Sequence, residues 1–507
     1  MNRTVVLISL HKYIDVIGLK LLHYHLIANS YDSRLLFMPG YDGESPERGI
    51  HASLERFIRD LSPHFIGISL MSTEFRRAGQ VSSFLKTRFP SIPIVWGGIH
   101  PTIAPESCLE HADFACVGEG ENSILDLANA LSAGTPPDGI RNLCCMRNGT
   151  LRRNPLYPLL GDLSMFSACE HVPRNSFIAD RGKIVELDLR TFRKYARYSG
   201  TTYNVISSRG CPFSCTYCCN NALSALYAHK KVRFRNLPEV IAEIRSAIAG
   251  NPYIEYVNIH DDCFLARSEV EVSAFCEMYA KEVAHPFIVR SIPQFVTHRK
   301  IASLKAAGLV WINLGLQSGS DRCCREIYKR NSTSEGFLNA ARIIRRCGVM
   351  AFYDVIVDNP FETDEDRLET VRTFMEAPKP FYPQLFSLTF YPGTELRERA
   401  LQEHLLREEE YQSKDYLVRD TTPLNTLTRL AAFLCRPHVR YLARRYRKDK
   451  DSQSFRLHLV CAKYLSMAVL EPVAYARLLW FSQDRNLSKI LKSLRFYLAV
   501  VLWRLRG

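Results

Sequence analysis

Residues 209–218 read Arg-Gly-Cys-Pro-Phe-Ser-Cys-Thr-Tyr-Cys, and they directly follow a short apolar segment that is typical of a β-strand. The segment holds Cys211, Cys215 and Cys218 in the spacing C-x3-C-x2-C. Iron–sulfur clusters are held by cysteine thiolates, and a 4Fe–4S cubane has one more iron than this loop has cysteines. The spacing therefore predicts a cluster with one iron open to a further ligand.

A zinc loop is the alternative reading of the same cysteines. Structural zinc takes four ligands, usually from two C-x2-C or similar knuckles, whereas this loop offers three. The neighbouring Cys219 is expected to be a buried bystander. The spacing favours a cluster over zinc.

Strand and helix patterns alternate around and beyond this loop. Apolar runs typical of buried strands occur at 203–208, 254–260, 286–293, 309–316, 349–357 and 384–391. Ser332-x-x-Glu335 and Thr363-x-x-Asp366 resemble capping boxes that open two of the intervening helices. Residues 201–415 therefore predict a partial (β/α)6 barrel of the TIM type, with its chemistry at the carboxyl ends of the strands.

The region before the barrel has a different organisation. Residues 1–140 carry five short apolar runs that alternate with helical stretches, which predicts a Rossmann-like open parallel sheet and an overall α/β class. Its strands are expected at 5–10, 33–38, 65–71, 92–98 and 114–118. Residues 141–200 contain Pro155, Pro158 and Pro173, and they are expected to form an irregular linker.

The positive charge of the chain is concentrated at its C-terminal end. Residues 416–507 hold 18 Lys and Arg against 5 Asp and Glu, so the preceding 415 residues contribute only +1 of the net +14. Helices are expected at 425–446, 455–480 and 487–505. Several roles stay open for this basic helical segment: a cap over the barrel, a peripheral contact with an anionic membrane, steering of an acidic substrate, or binding of nucleic acid. Because Glu471, Arg477 and Lys492 interrupt the apolar runs, we expect no membrane-spanning helix.

The cysteine content indicates the cellular compartment. The sixteen cysteines include three adjacent pairs, which suit a disulfide framework poorly, and the first apolar run is too short for a signal peptide. We therefore expect reduced thiols in a cytoplasmic protein, with a peripheral position at the membrane left open.

The cysteine loop and its surroundings resemble the radical SAM superfamily. The resemblance implies that the open iron binds S-adenosylmethionine (SAM), which is cleaved reductively to give a 5′-deoxyadenosyl radical that abstracts hydrogen from a substrate. It also implies that Tyr217 lies against the adenine and that Asp261 and Asp262 meet the SAM amino group. Gln317 and Ser318 match the stretch that contacts the methionine carboxylate and the ribose. Because many relatives carry Glu at the position of Gln317, a neutral hydrogen-bonding role is expected here.

Residues 62–127 resemble the cobalamin-binding domain that precedes one large radical SAM class. The resemblance rests on Gly97-Gly98-Ile99-His100-Pro101-Thr102 and Gly118-Glu119-Gly120-Glu121. It implies that cobalamin approaches the backbone at Gly97 and Gly98, where a side chain is absent. The motif Asp-x-His-x-x-Gly, which supplies a histidine ligand to cobalt, does not occur in the chain. Two readings stay open: cobalamin without a histidine ligand, or the fold without the cofactor.

Together these features predict a radical SAM enzyme that acts on an unidentified small molecule or lipid and takes electrons from a donor such as flavodoxin or ferredoxin. Methyl transfer is implied if cobalamin binds, and a cobalamin-free oxidoreductase or cyclase is the alternative. A rival from another class is a non-enzymatic metal-binding protein whose basic tail binds nucleic acid, which the sequence disfavours. The sequence identifies cofactor-binding residues but no catalytic side chain.

Overall fold

The computed structural model describes residues 3–163, 170–406 and 422–482. The helix predicted at 487–505 lies outside the described residues.

The N-terminal region forms a nine-stranded sheet in the order β7-β6-β5-β4-β3-β1-β2-β8-β9. The strands are β1 (Thr4–Ser9), β2 (Asp32–Phe37), β3 (Ile66–Ser69), β4 (Ile94–Gly97), β5 (Phe114–Cys116), β6 (Leu143–Arg147), β7 (Thr150–Arg153), β8 (Ser176–Asp180) and β9 (Lys183–Glu186). Its helices are α1 (Ile17–Ala28), α2 (Ile50–Leu61), α3 (Phe75–Arg88), α4 (Ile99–Ile103), α5 (Pro105–Cys108), α6 (Glu121–Ser132) and α7 (Leu189–Tyr195). The strands β5-β4-β3-β1-β2-β8 pair in parallel. Apolar clusters cover both faces of this parallel centre, which confirms the predicted open α/β sheet.

The prediction of an irregular linker over 141–200 is wrong, because this stretch supplies four strands to the two edges of the sheet. Strands β6 and β7 form one antiparallel hairpin and β8 and β9 another. The turn residues Asn148 and Gly149 have φ of 51° and 74°, and Arg181 and Gly182 have the same pair of values. Two consecutive positive φ angles are those of a type I′ turn, whose twist suits a two-residue hairpin. The prolines flank these short strands and do not interrupt them.

The second sheet has six strands in the order β10-β13-β14-β15-β16-β17, and a two-stranded ribbon joins β11 to β12. The strands are β10 (Thr202–Val205), β11 (Ser208–Arg209), β12 (Arg233–Phe234), β13 (Tyr256–Ile259), β14 (Phe287–Ser291), β15 (Leu309–Gln317), β16 (Met350–Val357) and β17 (Tyr382–Ser387). The helices are α8 (Cys219–Leu226), α9 (Leu237–Gly250), α10 (Glu269–Glu282), α11 (His298–Ala306), α12 (Ser334–Arg346), α13 (Asp364–Glu376) and α14 (Glu395–Gln402). Strands β14 to β17 pair in parallel, as the partial-barrel prediction requires.

The two predicted capping boxes have different outcomes. Thr363 caps α13, and its hydroxyl accepts from the backbone N–H of Asp366, while the Asp366 side chain accepts from the Thr363 N–H, as predicted. Helix α12 instead begins after Thr333, whose hydroxyl accepts from Gly336 N–H, so the predicted cap at Ser332 is one residue early. Two adjacent hydroxyl residues offer two caps, and the backbone uses the second.

The C-terminal segment is helical, with α15 (Pro423–Phe433), α16 (Arg436–Asp449), α17 (Gln453–Leu465) and α18 (Glu471–Ser482). The single helix predicted over 425–446 is two helices, because Pro437 starts a new helix in its first turn. Helices α17 and α18 are continuous through a π-helical turn at Ser466–Leu470. By length and composition alone, the helix Gln453–Arg477 is long and apolar enough to cross a membrane, which the charge at Glu471 was expected to prevent.

The described chain divides into two compact units. The first holds residues 3–163, 170–210, 217–257 and 390–406, and the second holds 211–216, 258–389 and 422–482.

Candidate cofactor sites

In the first unit, a short antiparallel ribbon closes the segment that carries the cysteines. Strands β11 and β12 pair Ser208 with Phe234 and Arg209 with Arg233. The chain between them, 210–232, contains the cysteine loop and α8. The ribbon therefore fixes both ends of the loop and brings two arginines side by side.

Both arginines bind the loop that follows β5. The carboxylate of Glu119 accepts hydrogen bonds from Arg209 Nη1 at 3.0 Å and from Arg233 Nη2 at 2.6 Å, and Glu121 accepts from Arg209 Nη2 at 2.6 Å. Burial alone would raise the pKa of Glu119, but its hydrogen bonds and ion pairs with the two arginines outweigh burial and hold that pKa below its usual range. The base of the cysteine loop is thus tied to the Gly118–Glu121 loop of the N-terminal sheet.

Helix α8 makes a second connection to the same loop. The Tyr227 hydroxyl accepts from the backbone N–H of Glu119 at 3.0 Å. Gly118 has φ of 82°, and a Cβ there would meet that hydroxyl, so a larger residue at 118 would displace the Tyr227 side chain. Helix α8 also contacts α4, which follows Gly97-Gly98. The helix after the third cysteine therefore lies beside the glycine loop predicted to hold cobalamin.

The fold requires glycine at position 98 but not at position 97. Gly98 has φ of 100°, and a Cβ there would lie 2.7 Å from the Leu70 carbonyl oxygen, so the fold itself needs glycine. A Cβ at Gly97 would meet only Cys116 Cβ at 3.9 Å, an ordinary contact. Packing within the chain does not explain glycine at 97. The open space at the carboxyl end of β4 fits the close approach of a bulky ligand such as cobalamin.

Two histidines lie at this edge of the sheet. His100 is fully buried, its ring nitrogens are 2.9 Å and 3.1 Å from the hydroxyls of Ser72 and Ser107, and burial lowers its pKa to about 4. It is therefore a neutral structural residue. His11 follows β1, and its Nδ1 lies 3.6 Å from a Glu74 carboxylate oxygen.

In the second unit, Cys215 is buried against a guanidinium. Arg330 Nη1 lies 3.8 Å from Cys215 Sγ, and the same guanidinium donates to the Gly315 carbonyl at 3.0 Å. The side chain also lies over the Phe213 ring at 5.6 Å. Hydrogen bonds to sulfur tune an iron–sulfur cluster bound through that sulfur. Arg330 therefore brings a predicted cluster ligand next to the predicted SAM-binding stretch at the end of β15.

That stretch is adjacent to a carboxylate of β16. Gly315 is in register with Asp354, and a Cβ at 315 would lie 2.6 Å from the Gln317 side-chain nitrogen. Within the described residues, Oδ1 of Asp354 is buried and has no hydrogen-bond partner. Burial raises the pKa of Asp354 to about 7, although the charges of Arg290 and Arg330 oppose the shift. An orphaned buried carboxylate oxygen beside Gly315 fits the ammonium group of an amino acid such as the methionine part of SAM.

Of the other residues predicted to contact SAM, Asp261 and Ser318 are hydrogen-bonded within the protein, whereas Asp262 is exposed. Asp261 is fully buried and accepts from Arg267 Nη1 at 3.1 Å. Ser318 is also buried, and its hydroxyl donates to Glu362 Oε1 at 2.8 Å. Asp262 is exposed, and Gln317 has a positive φ of 68°. No contact recorded in the structure tests their roles towards SAM, which stay predictions.

Two of the three loop cysteines are less buried than several other cysteines of the chain. Cys211, Tyr217 and Cys218 are half-buried, and so is Cys219, which was expected to be buried. By contrast, burial raises the pKa of Cys108, Cys116 and Cys276 to about 12 and that of Cys144 and Cys324 to about 11, so these five stay protonated thiols. Across the described ranges, no three His, Cys, Asp or Glu side chains meet closely enough to hold a single metal ion.

Sequence reasoning missed Arg330 and the arginines that bind Glu119. Arg330 follows the cysteine loop by more than 100 residues, and only the fold places it at Cys215. Arg209 immediately precedes Gly210-Cys211, and that position is the one signal that the sequence contains. Their partners depend on strand pairing, which residue spacing does not reveal.

Comparison with known families matches both parts of the chain. The family described as "Radical SAM superfamily" matches residues 205–374, and the family described as "B12 binding domain" matches residues 3–128. These matches support the predicted 4Fe–4S cluster, SAM and cobalamin. They give no support to the rival of a non-enzymatic metal-binding protein.

Individual relatives agree in architecture. The chain is 26% identical over 359 residues to an uncharacterized methyltransferase of Pyrococcus horikoshii, covering 70% of this chain and 73% of that protein. The radical SAM methyltransferase TsrM from Kitasatospora setae, solved with cobalamin and a 4Fe–4S cluster bound, aligns with a TM-score of 0.63 and 18% identity over 80% of this chain and 75% of that one. The cobalamin-dependent SAM radical enzyme OxsB, solved with aqua-cobalamin bound, aligns with a TM-score of 0.66 and 15% identity over 99% of this chain and 80% of that one.

The likeness to the solved structures concerns the fold, and the two family matches assign the domains. The chain belongs to the radical SAM superfamily, in the cobalamin-dependent class that carries an N-terminal B12-binding domain.

Proposed function

We propose that this protein is a cobalamin-dependent radical SAM methyltransferase that acts on an organic substrate. The observation that carries the proposal is the presence of a B12-binding domain at 3–128 and a radical SAM core at 205–374 in one chain. The methyltransferase of Pyrococcus horikoshii is similar over most of its length, which favours methyl transfer over cyclisation or oxidation.

Cys211, Cys215 and Cys218 are the proposed cluster ligands. The Arg330 guanidinium donates to Cys215 Sγ at 3.8 Å, and hydrogen bonds to sulfur tune a cluster bound through it. The same side chain holds the carbonyl of Gly315, so the SAM-binding stretch and the cluster ligand are fixed together. Arg330 is a positioning residue in this proposal.

SAM is proposed to lie along the ends of the barrel strands. Asp354 offers a buried carboxylate oxygen for the SAM ammonium group, and Gln317 offers a neutral amide beside it. Tyr217, Asp262 and Ser318 keep their proposed roles around the adenine, the amino group and the ribose. Asp261 acts through its buried ion pair with Arg267 and shapes the loop after β13.

Cobalamin is proposed to lie at the carboxyl end of β4, over Gly97 and Gly98. The ion pairs of Glu119 with Arg209 and Arg233 hold the base of the cysteine loop to the neighbouring strand end. When bound, the cluster and SAM supply an adenosyl radical, and cobalamin supplies a carrier for the methyl group. The residues of this chain hold the cofactors and keep the loop that follows β11 in place.

The test uses protein purified without oxygen, reconstituted with iron and sulfide and loaded with hydroxocobalamin. Reduced enzyme incubated with SAM should form 5′-deoxyadenosine, and Cys215→Ala should abolish it. When the reduced enzyme is incubated with an extract of the source cells and with SAM that carries a deuterated methyl group, a compound of the extract should gain the labelled methyl group. Enzyme that cleaves SAM equally well without cobalamin, and labels no product, would exclude the methyltransferase.

A further inference from the structure

Two neighbouring C-terminal helices present surfaces that the proposed function does not use. Helices α16 and α17 contact each other through histidine and tyrosine side chains. The Nε2 atoms of His438 and His458 lie 3.2 Å apart, and the Tyr441 ring centre is 5.5 Å from that of His458. The basic helix α16 therefore lies directly beside the apolar helix α17.

The outer side of α17 and α18 is an uninterrupted apolar surface. We call it the apolar stripe, and it is formed by Leu457, Val460, Tyr464, Leu465, Val469 and Val473. Leu457 is 63% exposed and the others lie between 46% and 56%. None of the exposed residues between 457 and 473 is charged. The stripe is about 25 Å long at a rise of about 1.5 Å per residue, and a soluble monomer rarely exposes so continuous an apolar surface.

The opposite side of the same helix packs into the fold. Phe455, Leu459, Ala462, Met467 and Tyr475 are all buried. Of the most apolar stretch of the helix, 28% is buried. Lipid cannot surround a helix that is fixed on one side to protein. A helix with one packed face and one exposed apolar face suits the plane of a membrane interface.

Helix α16 supplies positive charge beside the stripe. Arg440, Arg444 and Lys448 are exposed at four-residue intervals, and no carboxylate of the described residues pairs with any of them. Like charges four residues apart on a helix destabilise it unless an anion offsets them. Arg440 and Arg444 also line, with Arg372 and Arg447 and an apolar floor, a groove of about 450 Å³ between α13 and α16.

We infer that the apolar stripe and α16 dock this protein on the surface of an anionic lipid bilayer. The stripe enters the boundary between headgroups and acyl chains, and the arginines of α16 bind lipid phosphates. A second copy of the chain is a poorer partner, because pairing two stripes would bring two strongly basic helices towards each other. The inference concerns binding alone and does not depend on methyl transfer.

The test is sedimentation of the full-length protein with vesicles of phosphatidylcholine or of a phosphatidylcholine–phosphatidylglycerol mixture. The wild type should sediment with the anionic vesicles, and less so as salt rises. Arg440→Gln/Arg444→Gln should lower the partition coefficient about 30-fold, at about fivefold for each charge near the surface. Tyr464→Ser/Leu465→Ser should lower it about tenfold or more, since each side chain is only half-buried before docking.

Matched controls change the same residue types elsewhere in the second unit. Val270→Ser removes a 78% exposed apolar side chain from α10, and Arg299→Gln removes a 78% exposed arginine from α11, and both should bind like the wild type. The inference is overturned if the wild type stays in the supernatant with both vesicle types, or if the stripe variant binds as well as the wild type. It is also overturned if the wild type dimerises without lipid and Tyr464→Ser/Leu465→Ser makes it monomeric, since the stripe would then be an interface between copies.

Discussion

Replacing Asp261 with alanine tests whether this residue stabilises the barrel or binds SAM. The Asp261 and Arg267 side chains are 0% and 1% exposed, and Asp261 Oδ2 accepts from Arg267 Nη1 at 3.1 Å. In Asp261→Ala, the buried Arg267 guanidinium loses its carboxylate partner and keeps its hydrogen bond to the Phe264 carbonyl at 3.3 Å. Removing one partner of a buried ion pair costs about 3–5 kcal/mol. For a unit of this size, that loss corresponds to a melting temperature lower by about 8–16 °C.

The assay is thermal and urea unfolding of the cofactor-free protein, followed by calorimetric titration of SAM into the reconstituted protein. Asp261→Ala/Arg267→Met removes both charges, and it should recover most of the stability that the single change loses. A protein carrying Asp261→Ala that melts at the wild-type temperature but binds SAM more weakly would refute the structural role. That result would indicate that Asp261 contacts SAM directly.

Three further predictions concern the other site residues. Gly97→Leu should fold with near-normal stability but retain less hydroxocobalamin, whereas Gly98→Ala should lower the melting temperature because its Cβ meets the Leu70 carbonyl. Melting curves and the corrinoid absorbance of the purified proteins distinguish the two effects. Full retention of hydroxocobalamin by Gly97→Leu would contradict the proposed site. The folded-state pKa of Asp354, raised to about 7 by burial, means that the folded state holds a proton that the unfolded state releases, so stability should fall between about pH 4 and pH 7. Asp354→Asn should remove that part of the pH dependence in urea unfolding, and identical slopes would exclude it. Glu119→Ala should lower the free energy of unfolding by about 3 kcal/mol, because the largely buried Arg233 loses its carboxylate and Arg209 keeps only Glu121, and an unchanged value would show that the network is not stabilising.

The sequence identifies the elements of the fold wherever the apolar runs are long enough. The predicted strand at 5–10 is β1 at Thr4–Ser9, and the predicted strand at 309–316 is β15 at Leu309–Gln317. It fails for the edge strands β6 to β9, because few of their residues are buried and they lie among prolines. The Asn148-Gly149 turn was the available signal, because this dipeptide favours the type I′ hairpin.

In the candidate site, residues that are close together in the sequence could be predicted, and residues that meet only in the fold could not. The cysteine spacing is local, so the sequence alone predicts the cluster ligands. The neighbours that control them are distant, since Arg330 reaches Cys215 only through the turn after β15, where Thr216 N–H also bonds the Tyr328 carbonyl. Burial is likewise a property of the fold, and for that reason the ion pair of Asp261 was not predictable from its position after a strand.

The proposed function requires Cys211, Cys215 and Cys218 to hold a cubane with one open iron. Electron paramagnetic resonance of the oxygen-free, dithionite-reduced protein, recorded with and without SAM, tests it most directly. We predict a reduced-cluster signal that shifts when SAM is added and that Cys215→Ala loses. Iron analysis of the same protein should give about four irons per chain. A cubane signal that SAM leaves unchanged, or carefully prepared protein without cubane iron, would contradict the account.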